Sequence, residues 1–150
     1  LWNMFDFATP MADRGGIPGR NMKGLMTFDR KTRKDSYFWY KANWSKEPVL
    51  HLTQRRNVDR EKQETSVTVY SNIGMPKVFL NGRELQGVRK GYTDVHYVFD
   101  HVTLCDGKNR LKAVVSRDGK EYTDEIEWNY SGEKNRGTEA YENKNEHFGL

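Results

Sequence analysis

The residue types in this sequence that most readily do chemistry are four histidines, one cysteine and a short run of glycines. His51, His96, His101 and His147 show no metal-ligand spacing, and lone histidines on strands are more often surface groups or satisfied core groups. Gly15, Gly16 and Gly19 share one loop, but no GK[ST] follows them, so a phosphate cradle is not expected. The chain contains no G-x-S-x-G, no C-x-x-C and no H-E-x-x-H. Sugar hydrolysis with retention needs two carboxylates about 5–5.5 Å apart, and no convincing pair lies on facing strand ends. Cys105 alone cannot close an internal disulfide. The residues assemble no complete active site, so no catalytic residue, metal or cofactor is expected from them.

Composition narrows the classes further. The 150 residues are 35% hydrophobic and 31% charged, with a mean hydropathy of −0.95, wetter than an average globular chain but richer in apolar residues than a disordered one. No apolar run approaches the roughly 18 residues of a membrane span. The net charge is +4, and residues 1–47 hold nine Lys/Arg against five Asp/Glu. That excess concentrates in Arg30, Lys31, Arg33 and Lys34. A basic patch beside aromatics can hold a phosphate backbone. No nucleic-acid motif accompanies this one, so it reads as a solvated cluster and nucleic acid is not an expected partner.

Three regions must position whatever function the chain has. Residues 48–130 alternate apolar and polar side chains with the period of strands. Val67 and Val69, Val78 and Leu80, Tyr97 and Phe99, Val102 and Leu104, Leu111 to Val115, and Ile126 with Trp128 make the apolar faces. Turn residues fill the gaps at Asn72–Pro76, Asn81-Gly82, Asp106-Gly107 and Asp118-Gly119, and at least two hairpins are signalled. Six or seven strands at this spacing predict an immunoglobulin-like β-sandwich without the Cys…Trp…Cys framework of antibody domains. In residues 1–47, LWNMFDF predicts a buried strand and GLMTF a second apolar piece. Asp35 or Ser36 is placed to cap a helix carrying Tyr37, Tyr40, Lys41 and Trp44 on one side, stopped by Pro48. One strand and one helix cannot bury that aromatic surface, so the segment is expected to dock on something outside the chain. Residues 131–150 read as a polar linker or tail.

The string LWNMFDFA, followed after a loop by GRNMKGLMTFDRKTRKDSYFWYKANW, resembles the end of the catalytic barrel of glycoside hydrolase family 2. The sandwich, with VYSN, LNG and the DGKN turn, resembles the domain that follows that barrel. The resemblance covers residues 1–130 and is nearest to β-galactosidases of Bacteroidetes type. It implies that LWNMFDF is the eighth barrel strand and SYFWYKANW the eighth helix, a remnant of a TIM barrel preceding the sandwich. The loop from Ala8 to Gly24 would then border the sugar pocket, since barrel sites sit beyond the C-terminal strand ends. Trp2 matches a family tryptophan that walls the sugar; from the residue alone a barrel-core side chain is the better reading, and only the resemblance favours the site. Asp6 matches a carboxylate of the same strand, with a supporting polar role. Asn21 and Lys23 match an N-x-K pattern that contacts the sugar carboxylate in glucuronidases, and amide and ammonium suit that acceptor; a loop Asn and a solvated Lys are the plain alternative.

The resemblance places the catalytic glutamates on earlier barrel strands, so the isolated chain is expected to be inactive. The substrate of the parent would be a terminal β-linked glycan, most simply a β-galactoside. A β-glucuronide or galacturonide is the alternative that Asn21 and Lys23 raise. A further alternative is a non-catalytic sugar-binding sandwich using Tyr70, Tyr92, Tyr97 and Tyr122 as platforms. By family resemblance alone the compartment would be periplasmic or extracellular.

Overall fold

The computed structural model describes residues 3–10 and 17–132. Trp2, Gly15, Gly16, His147 and nearly all of the 131–150 tail lie outside the described residues. The chain divides into two compact units between Phe38 and Trp39, and each is described on its own.

The first unit is built from short backbone ties. Strand β1 (Phe7–Ala8) pairs antiparallel with β2 (Arg20–Asn21). Before it, Phe5 makes a parallel bridge to Met26, and Met26 bridges Arg33 antiparallel. Among the described residues, the strand predicted over LWNMFDF is a bridge at Phe5 and a pairing that starts at Phe7, and Met4 and Phe7 are exposed. Residues 25–34 fold back on themselves through Thr27 N–H to Thr32 O (2.9 Å) and Lys34 N–H to Leu25 O (2.9 Å). Arg30 adopts a positive φ of 62° in that reversal. Helix α1 (Asp35–Trp44) follows. Asp35 lies in its first turn, where the helix's free N–H groups favour negative charge. The helix ends four residues before Pro48, and of its side chains only Ala42 is buried while Trp44 is 71% exposed.

In the second unit, Asn72 anchors the segment after the helix. Its Nδ2 donates to Ser45 O (3.1 Å) and Glu47 O (2.8 Å), and its Oδ1 accepts from Val49 N–H (2.8 Å). Nine strands follow: β3 (Leu50–Leu52), β4 (Asp59–Arg60), β5 (Glu64–Ser71), β6 (Lys77–Leu80), β7 (Arg83–Glu84), β8 (Val88–Lys90), β9 (His96–Thr103), β10 (Gly107–Arg117) and β11 (Lys120–Tyr130). They form two sheets, ordered β3-β5-β9-β8 and β4-β11-β10-β6-β7. The first order is that of immunoglobulin strands A-B-E-D, and β11-β10-β6 is G-F-C, so the domain is an Ig-like sandwich. Strands β4, β7 and β8 have two or three residues each, too short for alternation to reveal.

The core follows the predicted faces. Leu52, Val67, Val69 and Phe99 meet Val78, Leu80, Leu111, Ala113 and Trp128 in one buried cluster. Along β9 the inward positions change from odd (Tyr97, Phe99) to even (Val102, Leu104). A β-bulge makes that change: Val67 pairs Phe99 but Thr65 pairs Val102, and His101 sits at φ 56°. One extra residue on the strand flips every later side chain to the other face. Asn81-Gly82 and Asp118-Gly119 take positive φ at both residues, the type I′ hairpin geometry. Asp106-Gly107 is instead part of the crossing from β9 to β10, between the sheets.

Polar ties finish the sandwich. Asn109 is fully buried; its Oδ1 accepts from Cys105 N–H (2.8 Å), and its Nδ2 donates to Cys105 O (2.7 Å) and Gly107 O (2.9 Å). Asn81 Nδ2 reaches the same Oδ1 at 3.2 Å, so the LNG and DGKN turns are locked together. Arg60 lies over the Trp128 ring at 4.3 Å and donates to Gln54 Oε1 (2.6 Å) and Thr65 Oγ1 (2.8 Å).

Candidate functional site

The arrangement with most chemical potential lies in the first unit, around Asp6. Gly24 is pressed against the preceding strand so closely that a Cβ there would lie 2.1 Å from the Phe5 carbonyl carbon. Only glycine permits that approach. It brings Gly24 N–H to 2.9 Å from Asp6 Oδ1. The fold-back of residues 25–34 returns Lys34 to the same carboxylate, 2.7 Å from Oδ1, and Lys34 Nζ also donates to Met22 O at 2.8 Å. The Asp6 side chain is 3% exposed and that of Lys34 15%, so this ion pair is shielded from water.

Asn21 and Lys23 stand on the turn these contacts hold. Asn21 Oδ1 accepts the Lys23 N–H at 3.0 Å, closing an Asx-type turn. Asn21 is half-buried and Lys23 exposed. Among the described residues the Lys23 ammonium makes no hydrogen bond. The structure thus holds the Asn21–Lys23 turn against Asp6, while Trp2 lies outside the described residues. An outward ammonium beside an amide can bind an anion or a hydroxyl-rich ligand.

Sequence reasoning missed Lys34 and Gly24. The cluster that holds Lys34 reads as solvated, yet Lys34 is paired and two of the arginines lie on aromatic rings: Arg30 over Phe5 at 4.8 Å and Arg33 over Tyr37 at 5.2 Å. A glycine directly after N-x-K was the one signal available. Asp29 is committed to local turn contacts, with Thr27 Oγ1 at 2.5 Å and Lys31 N–H at 3.1 Å, which hold its carboxyl below the usual range.

The sandwich carries no comparable site among the described residues. Tyr70 and Tyr97, offered above as sugar platforms, are buried, 3% and 6% exposed, and Tyr122 is half-buried; Tyr92 alone of the four is open, at 75%. Tyr70 packs in a row across the outer sheet face, stacked on His51 and edge-on to His96. Burial pushes the His96 imidazole below the ordinary histidine value, with Arg89 adding to the effect. Its Nδ1 accepts the Tyr92 N–H at 3.2 Å, as a neutral ring does. Among the described residues no group of three His, Cys, Asp or Glu side chains is placed to hold a metal ion, and no helix is long and apolar enough to cross a membrane.

Comparison with known proteins shows what the chain is similar to. The family described as a domain of unknown function, DUF4982, matches residues 62–123. A β-glucuronidase of Bacteroides fragilis is 37% identical over 135 residues, 89% of this chain and 19% of that protein. The crystal structure of a putative β-galactosidase from Bacteroides fragilis is 81% identical with a TM-score of 0.85, covering 91% of this chain and 20% of its own. That of an FMN-binding β-glucuronidase from Facaelibacterium prausnitzii L2-6 is 40% identical with a TM-score of 0.71, covering 86% and 19%. The chain thus spans about one fifth of the length of the relatives it matches. By sequence and by fold, it is homologous over most of its length to glycoside hydrolases of family 2, of the β-glucuronidase and β-galactosidase type.

Proposed function

We propose that this chain is the end of the catalytic barrel and the following sandwich of a longer, retaining exo-β-glycosidase. In this reading residues 1–47 are the last strand, loop and helix of the barrel, 48–130 the Ig-like domain, and 131–150 a polar linker or tail. The catalytic carboxylates belong to earlier strands. The contribution of this chain is to bound the sugar pocket, with Trp2 as an aromatic wall and the Asn21–Lys23 turn as a polar contact. What carries the reading is that turn, held against buried Asp6 with its ammonium directed to solvent.

The 81% identical relative supports a β-galactoside as the substrate. One observation favours a second reading, a β-glucuronide: an exposed ammonium with no partner among the described residues, beside an amide, suits a sugar carboxylate better than a neutral hydroxymethyl group. The other relatives named above are called β-glucuronidases. Assaying the whole protein with aryl β-galactosides and aryl β-glucuronides tests both. Hydrolysis of either class, with none by the isolated chain, is the expected result. Turnover by the isolated chain, or none of either substrate by the whole protein, would overturn the reading.

A further inference from the structure

Lys34 is the one cation of the basic cluster whose ammonium is bound into a largely buried ion pair. The details of that pair bear on Lys23. The Met22 carbonyl belongs to the peptide bond that enters Lys23, and the Gly24 N–H belongs to the one that leaves it. Lys34 Nζ holds the first at 2.8 Å and Asp6 Oδ1 holds the second at 2.9 Å, while the two charged groups lie 2.7 Å apart. The entering peptide is held a second time, its Lys23 N–H donating to Asn21 Oδ1. Both peptide planes flanking Lys23 are therefore set by one ion pair, closed by residues 28 positions apart in sequence. A shielded pair with such additional hydrogen bonds keeps its geometry, unlike an exposed pair that melts into solvent.

We infer that Lys34 is a positioning residue: through Asp6 it presents Lys23 and Asn21 to the substrate in a preset direction. The inference rests on the reading that this turn meets the sugar, and it holds for either sugar class. Preorganising a binding group saves the cost of ordering it when the ligand arrives, and a displacement of about 1 Å can cost on the order of 10²-fold in rate. Lys34 itself touches no substrate in this account.

The test is a double-mutant cycle in the whole protein, using the better of an aryl β-galactoside and an aryl β-glucuronide. Lys34→Met should lower kcat/KM by roughly 10- to 100-fold, with most of the loss in KM and kcat changed by less than about 3-fold. In a Lys23→Ala background the same change should cost less than about 3-fold, because the group being positioned is gone. Lys34→Met leaves Asp6 unpaired and can impair folding, so the neutral double variant Asp6→Asn with Lys34→Met is measured alongside. It buries no charge, should fold, and should show the same loss. Equal costs of Lys34→Met with and without Lys23, or kcat/KM within about 2-fold of wild type in the neutral double variant, would overturn the inference. If Lys23→Ala alone leaves both substrates unaffected, the contact between turn and sugar is wrong and the inference falls with it. If Lys23→Ala is damaging and the Lys34 variants are not, the contact stands and only the positioning role is lost.

Discussion

The two units are held together in different ways. The sandwich closes a core of eleven buried side chains from both sheets and satisfies buried Asn109 and Arg60 with partners of its own. The first unit buries Leu25 among its described apolar side chains, leaves Met4, Phe7 and Phe28 exposed, and is tied among the described residues by the Asp6–Lys34 ion pair, local polar and cation–π contacts and a few backbone bonds. A segment held by polar contacts has a defined shape but little apolar burial to stabilise it. The contrast separates a unit with its own buried core from one with little apolar burial, as expected if the proposed reading of residues 1–47 as a barrel remnant holds.

Breaking the sandwich should have the largest effect. Trp128→Ala removes a 1% exposed indole and the ring beneath Arg60, and should cost about 3–5 kcal/mol in urea denaturation of the 150-residue chain. A loss below about 1 kcal/mol would show that the core is not where the stability lies. Asn109→Ala comes next, at about 2–3 kcal/mol, because it strips partners from buried backbone groups at Cys105 and Gly107. The first unit should respond differently. Amide exchange in the isolated chain should be fast across residues 3–10 and 20–26, and slow at Val67, Val69, Leu111 and Ala113. Equal protection in both would erase the distinction.

The smallest effect concerns pH and sharpens the picture of the sandwich's outer face. His96 is kept below the ordinary histidine value, near 6.5, so under that pH the unfolded chain binds more protons than the folded one. Its contribution is present above about pH 6.5 and is lost as pH falls through the lower folded value. His101 has the opposite sign. Its contact with Glu64 raises it, so its stabilisation is complete below about pH 6.5 and is lost as pH rises through the raised value. Between pH 7 and 5 the melting temperature should fall through His96, opposed by the contribution of exposed His101. His96→Gln should remove most of that fall and His101→Ala should not; the reverse pattern would show that the outer-face row does not govern it.

Much of the sandwich was legible because its signals are local. Alternation marks the long strands, the two hairpin turns are the Asn-Gly and Asp-Gly pairs, and the change of phase between Phe99 and Val102 is the bulge itself. Strands β4, β7 and β8 were not legible, since two or three residues carry no period. Tyr70 and His51 occupy outward positions that alternation assigns to solvent, and their burial depends on what packs over the sheet. The candidate site was legible only in part. Asn21, Lys23 and Asp6 stood out through their resemblance to a family pattern. The pairing of Asp6 with Lys34 is a contact across 28 positions that no spacing rule encodes. Lys34 looked like one more solvated cation because its neighbours in sequence are cations too.

The most direct test of the account is kcat/KM of the whole protein and of its Lys23→Ala variant, on an aryl β-galactoside and an aryl β-glucuronide. If the turn around Lys23 meets the sugar, the variant should lose at least about 10-fold on the substrate that the protein prefers, a difference of roughly 1.4 kcal/mol in transition-state stabilisation. A loss confined to the glucuronide would assign Lys23 to the sugar carboxylate. Unchanged kcat/KM on both substrates would contradict the central claim.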